Sequence, residues 1–75
     1  MQVRIKLMGM LKGKTPESGL LEMDDGATIA DVLDRLQIRW DSALVFTVNG
    51  RLVREGEHRL AAGDEFTVLP PVGGG

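Results

Sequence analysis

The residues that decide the chemistry of this chain carry no reactive side chains: Pro70, Pro71, Val72, Gly73, Gly74 and Gly75. The reactive group of such a tail is the α-carboxylate of Gly75. It is ionised at neutral pH, since a free α-carboxyl titrates near ~3.5, and is therefore a poor electrophile. It becomes an acyl donor once an enzyme activates it with ATP as an acyl adenylate. Glycine suits that fate, because without Cβ it passes a narrow channel, accepts strained backbone angles and leaves its carbonyl open to attack. Pro70 and Pro71 fix φ and offer no N–H, so a preceding strand stops at them and the tail leaves it stiffly. Glycine runs at a terminus are also common as inert ends. The elements that carry this run must decide between the two.

Other chemistry-bearing residues stand alone. His58 is the single histidine, with no serine or second histidine placed to work with it, and reads as a solvated loop residue rather than a base or ligand. Asp24-Asp25 falls in a turn with nothing to orient it. Lys12-Gly13-Lys14-Thr15 lacks the spacing of a phosphate-binding loop and reads as a turn. The absence of cysteine removes disulfides, thiolate catalysis and zinc–cysteine sites together. No metal and no bound cofactor are expected, ATP being used by the activating enzyme. The chain is expected to be acted on by enzymes rather than to be one.

The 75 residues make one small domain of ordinary globular composition, 43% hydrophobic and 27% charged. A net charge of -2, with nine scattered Lys and Arg, argues against nucleic acid as partner. No stretch approaches the ~18 apolar residues of a membrane span, and Met1 to Lys6 alternates where a signal peptide would run apolar. The expectation is a cytoplasmic protein with no membrane contact.

The elements that must position the tail follow from periodicity. Val3, Ile5 and Leu7 alternate with polar neighbours as a first strand, and Gly9 to Pro16 reads as a hairpin connection to a second strand over Glu17 to Met23. Thr28 and Asp31 have capping-box spacing. Ile29, Val32, Leu33 and Leu36 then form one apolar stripe on a helix of roughly ten residues, with Asp31 and Arg35 as an i, i+4 ion pair. Trp40 in the next connection reads as a lid on the core edge more than as a partner anchor. Leu44 to Val48 is a strand, Asn49-Gly50 a hairpin turn, and Arg51-Leu52-Val53 its short return. Leu60 anchors a loop, Gly63 makes a left-handed turn, and Glu65 to Leu69 is a last strand with Phe66 and Val68 inward.

Strand, strand, helix, strand, short strand, strand is an α+β order. With right-handed crossovers it sets the last strand parallel to the first at the centre of a mixed sheet of four to five strands, with one main helix packed on one face. That is the β-grasp, or ubiquitin-like, roll: residues 1–69 form the domain, and residues 70–75 a flexible C-terminal tail ending in diglycine. Met8, Leu20, Val45 and Leu69 point away from the helix in this arrangement, an apolar outer face suited to a partner.

Three stretches are similar to the MoaD/ThiS family of small sulfur-carrier proteins: Val48-Asn49-Gly50, Leu60-Ala61-Ala62-Gly63-Asp64-Glu65, and the terminal Pro70-Pro71-Val72-Gly73-Gly74-Gly75. The resemblance implies that Gly74 and Gly75 are the family's diglycine. A ubiquitin-activating-like adenylyltransferase would adenylate Gly75, a sulfur donor such as a cysteine desulfurase would supply a thiocarboxylate there, and the sulfur would pass to a biosynthetic acceptor. Leu69, Pro70, Pro71, Val72, Gly73 and Gly74 would be the partner-binding stretch. The Pro-Pro-Val step resembles the small subunit of molybdopterin synthase, which implies that enzyme's large subunit as a partner and molybdenum cofactor biosynthesis as the pathway. The Ala-x-x-Arg-Glu segment of many such members is missing; Met10-Leu11-Lys12-Gly13 stands there. The alternatives are the thiamine thiazole sulfur carrier, a protein modifier conjugated through Gly75, and an interaction domain with an inert tail.

Overall fold

The computed structural model describes residues 1–71. A five-stranded mixed sheet has the order β2-β1-β5-β3-β4. Its strands are β1 (Gln2–Leu7), β2 (Leu20–Glu22), β3 (Val45–Val48), β4 (Arg51–Val53) and β5 (Glu65–Leu69), with helix α1 (Ile29–Arg35) between β2 and β3. β1 and β5 are parallel, in register Ile5 to Phe66 and Leu7 to Val68. The other pairings, β1 with β2, β3 with β4 and β3 with β5, are antiparallel. This is the β-grasp α+β fold. Among the described residues no helix is long and apolar enough to cross a membrane.

One face of the sheet is the core. Val3, Ile5 and Leu7 from β1, Phe46 and Val48 from β3, and Phe66 and Val68 from β5 are all buried against Ile29, Val32, Leu33 and Leu36. Phe46 and Phe66 stack with centroids 5.8 Å apart. Trp40 lies 5.3 Å from Phe46 at the core edge and stays 48% exposed, a lid whose other side faces solvent.

The local signals of the helix start hold. The Thr28 hydroxyl accepts from the Asp31 N–H at 3.2 Å while the Asp31 carboxylate accepts from the Thr28 N–H at 2.9 Å, a reciprocal cap. That bond occupies Asp31, and the expected ion pair with Arg35 does not form; the guanidinium donates to the Glu22 carbonyl at 3.3 Å instead.

Three extents differ from expectation. The helix is shorter because Gln37 takes φ 61°, letting the Ile38 N–H reach the Leu33 carbonyl at 2.8 Å and the Gln37 N–H reach that of Asp34 at 3.1 Å, a Schellman end. The connection after β1 contains a 3₁₀ segment, Gly9–Lys14. β2 begins late, since the Gly19 N–H closes a turn onto the Pro16 carbonyl at 2.8 Å with Gly19 at φ 74°.

Candidate functional site

The tail leaves from the most enclosed strand of the sheet. β5 has β1 on one side and β3 on the other, and its Phe66 and Val68 have 0% exposure. Val68 pairs with Leu7 and with Phe46, and Leu69 with Val45. With every neighbour fixed, the last residue of β5 has a defined place and direction. Pro70 and Pro71 follow at once, and having no N–H they cannot prolong the ladder. Pro70 is half-buried and Pro71 exposed.

Parallel pairing of β1 with β5 puts the ends of both strands on one side of the molecule. The Met8 N–H makes the last rung to the Val68 carbonyl at 3.1 Å. β3, being antiparallel to β5, starts there, so Val45 lies beside Leu69. Met8 (37% exposed), Leu69 (36%) and Val45 (41%) therefore form an apolar row across the outer sheet face at the root of the tail. Leu52 (56% exposed) extends it in the next row, opposite Thr47, which pairs with Thr67. Leu20 also faces outward, but it pairs with Arg4, about 13 Å along β1 from Met8 at 3.3 Å per residue. It lies outside the patch.

Met8, Gly9, Val45, Leu69, Pro70 and Pro71 carry no acid, base or nucleophile. The root can bind and aim but cannot by itself break or make a bond. Among the described residues no group of His, Asp or Glu is placed to hold a metal ion. His58 is exposed, and only its backbone is engaged, its carbonyl accepting from the Ile29 N–H at 3.0 Å.

Of the residues expected at the site, Leu69, Pro70 and Pro71 meet at this root, while Val72, Gly73, Gly74 and Gly75 lie outside the described residues. Sequence reading missed Leu52 and Gly9. A two-residue Asn-Gly turn pairs Thr47 with Leu52 and so puts both on one face, a signal that was available. Gly9 became visible only through the parallel pairing.

The two inner motif stretches meet at the opposite end of β5. The Asn49 amide donates to Asp64 Oδ1 at 2.9 Å and its oxygen accepts from the Glu65 N–H at 2.9 Å, while Asp64 Oδ2 accepts from the Ala61 N–H at 2.8 Å. They anchor the start of the strand whose end carries the tail.

A β-grasp domain whose last strand is buried at the centre of the sheet, and whose outer face is apolar where that strand ends, defines a ubiquitin-like domain. The chain belongs to the ThiS family, whose model matches residues 5–75, and is a MoaD/ThiS-like small sulfur-carrier protein. Among solved structures it is similar to SAMP1 from Haloferax volcanii, at 25% identity and TM-score 0.78 over 100% of both chains. It shares its fold with a Pyrococcus furiosus protein assigned as molybdopterin converting factor subunit 1, at 23% identity and TM-score 0.73 over 96% of this chain and 99% of that one. The fold is also that of a chain in the complex of subunits 1 and 2 of the molybdopterin-converting factor from Helicobacter pylori, at 24% identity and TM-score 0.64 over 100% of both. No curated protein matches the sequence.

Proposed function

We propose that this chain carries sulfur as a thiocarboxylate on Gly75 for molybdopterin, and hence molybdenum cofactor, biosynthesis. A carboxylate oxygen of Gly75 attacks the α-phosphorus of ATP on a ubiquitin-activating-like adenylyltransferase, and pyrophosphate leaves. Hydrosulfide attack on the acyl adenylate then expels AMP and leaves the thiocarboxylate. If the sulfur arrives as a persulfide from a cysteine desulfurase, the acyl disulfide first formed needs a thiol to cleave its S–S bond. The large subunit of molybdopterin synthase would be the acceptor's enzyme. The carrier itself supplies placement.

The observation that carries this reading is the buried central β5 ending at Pro70-Pro71 beside the exposed Met8, Val45 and Leu69. An inert end needs neither the rigid root nor the apolar surface around it. Intact mass of the protein from its own cell, handled without acid or reductant, is expected to include a species heavier by the difference between sulfur and oxygen, located at Gly75. Its absence, together with no adenylate when ATP and activating enzymes are added, would leave an interaction domain. Leu69→Asp is expected to raise the KM for adenylation ten- to a hundredfold, about 1–3 kcal/mol as for a well-packed interface residue, with an unchanged circular-dichroism spectrum. Unaltered kinetics would remove this surface from the account.

A second reading is favoured by the likeness to SAMP1, since another Haloferax volcanii structure, 24% identical, is described as small archaeal modifier protein 1. A modifier shares the adenylation step and differs in its acceptor, a lysine amine in place of sulfur. Isopeptide-linked ladders in lysate, lost when Gly74 and Gly75 are deleted, would select it.

A further inference from the structure

We propose that Gly9 is a positioning residue for adenylation, its missing side chain being the seat on which Pro70 rests to aim the tail at the activating enzyme; this rests on the carrier reading above. A Cβ built on Gly9 would lie 2.9 Å from Pro70 Cγ and 3.7 Å from its Cδ. Carbon atoms pack at about 3.5–4.0 Å, so an alanine there displaces the proline ring by about 1 Å or pushes the 3₁₀ segment away.

Conformation alone does not explain this glycine. Gly9 has φ 58°, but Gly19, Gly26, Gly50 and Gly63 also have positive φ, and a Cβ on any of them meets nothing within 4 Å. They serve turns in open space. Gly9 combines the left-handed turn with a close approach, and the group approaching is the first residue of the tail. The topology favours the meeting, because parallel β1 and β5 end together and the Met8–Val68 rung lies one residue before Gly9 and two before Pro70.

The ring is a lever. Pro70 has a fixed φ and is followed by another proline, so a displacement at its Cγ is not relaxed locally but passed on to the residues beyond. A misplacement of about 1 Å costs up to about 100-fold when it reaches reacting atoms. Once the enzyme holds the chain its own contacts place the reacting carboxylate, so the loss falls on capture more than on turnover.

The test is steady-state adenylation by the activating adenylyltransferase with ATP, varying the concentration of the full chain. For Gly9→Ala the expected result is a KM raised about tenfold with kcat within about twofold of wild type, the share of the positional loss that capture bears. Gly19→Ala, which pays the same positive-φ penalty without touching Pro70, and Gly13→Ala, which does neither, are expected to keep the wild-type KM. Adding Gly9→Ala to Pro70→Ala is expected to raise KM much less than adding it to wild type, since the ring it would strike is gone. A nuclear Overhauser contact between Gly9 Hα and the Pro70 ring is expected in wild type. A wild-type KM for Gly9→Ala, an equal defect in Gly19→Ala, or full additivity with Pro70→Ala would each overturn the positioning role, while wild-type adenylation left the activation of Gly75 on which the carrier reading rests standing. A wild type that no activating enzyme adenylates would overturn the carrier reading and the role with it, even with the Overhauser contact present.

Discussion

Asn49 holds φ at 52°, a conformation asparagine tolerates better than most residues, and from there its side chain ties the β3–β4 turn to the turn before β5. Two substitutions separate these duties. Asn49→Gly keeps the left-handed backbone and loses the bonds to Asp64 and Glu65, an expected cost of about 1–2 kcal/mol at the usual net value per hydrogen bond. Asn49→Ala adds the left-handed penalty, about 1 kcal/mol more. Urea unfolding of the two variants checks the order, and equal midpoints would show that conformation contributes nothing. The sequence displays Asn49-Gly50 and Ala62-Gly63-Asp64 as separate turns, because each is a local signal. Their union across the sheet is a matter of register, which no short stretch encodes. The residues that carry the family likeness thus divide into a structural pair at one end of β5 and the tail at the other.

At the scale of elements, the two ends of α1 show why some boundaries are legible and others are not. The capping box of Thr28 and Asp31 lies in four consecutive residues, so spacing alone reveals it. The C-terminal stop relies on Gln37 at φ 61° where glycine is the usual residue, and the apolar stripe continues to Leu36, the C-cap beyond the last helical residue Arg35, so nothing in the pattern marks the stop and the expected helix was too long. The 3₁₀ segment escaped for a related reason: an i→i+3 turn with no buried residue has no apolar period to detect. The strands were legible because period-two burial is strict in β1 and β5. The same helix ends give opposite predictions. Thr28→Ala is expected to lower stability by about 1 kcal/mol, a fall in Tm of about 4–8 °C for a domain of this size. Gln37→Gly is expected to raise stability by about 0.5–1 kcal/mol, relieving the left-handed strain less the glycine's greater unfolded entropy. Its backbone carbonyl keeps the bond from Lys14 Nζ at 3.1 Å. A calorimetric scan in which Gln37→Gly melts lower than wild type would reject this account of the helix end.

Over the described residues the two parallel strands β1 and β5 are tied at one end by the Met8–Val68 rung beside Pro70, and β1 is tied at the other by Met1. The Met1 ammonium donates to the Met23 carbonyl at 2.7 Å and pairs with Glu22 at 2.9 Å and Asp25 at 3.7 Å, closing the β1–β2 edge from below. The Glu22 hydrogen bond raises its pKa above the ordinary 8.0, desolvation opposes it, and the charges of Glu22 and Asp25 add to the rise. A group more basic in the folded state contributes stability that is complete below the unfolded pKa and is lost as pH climbs through the folded one. The chain contains neither cysteine nor tyrosine, whose ordinary titrations near ~8.5 and ~10 would obscure that window. Tm is therefore expected to fall as pH rises above about 8, where the unfolded amine loses its proton. Glu22→Gln should flatten that fall by removing the leading interaction, and Nα-acetylation should abolish it. Because Glu22 is largely exposed, added salt should shrink the effect as well. Melting curves across pH 7 to 10, at low and high salt, separate these contributions: an equal alkaline slope in wild type and Glu22→Gln would mean that the Glu22 pair adds nothing to the alkaline loss, and an equal slope after Nα-acetylation would mean that the amine adds nothing to it.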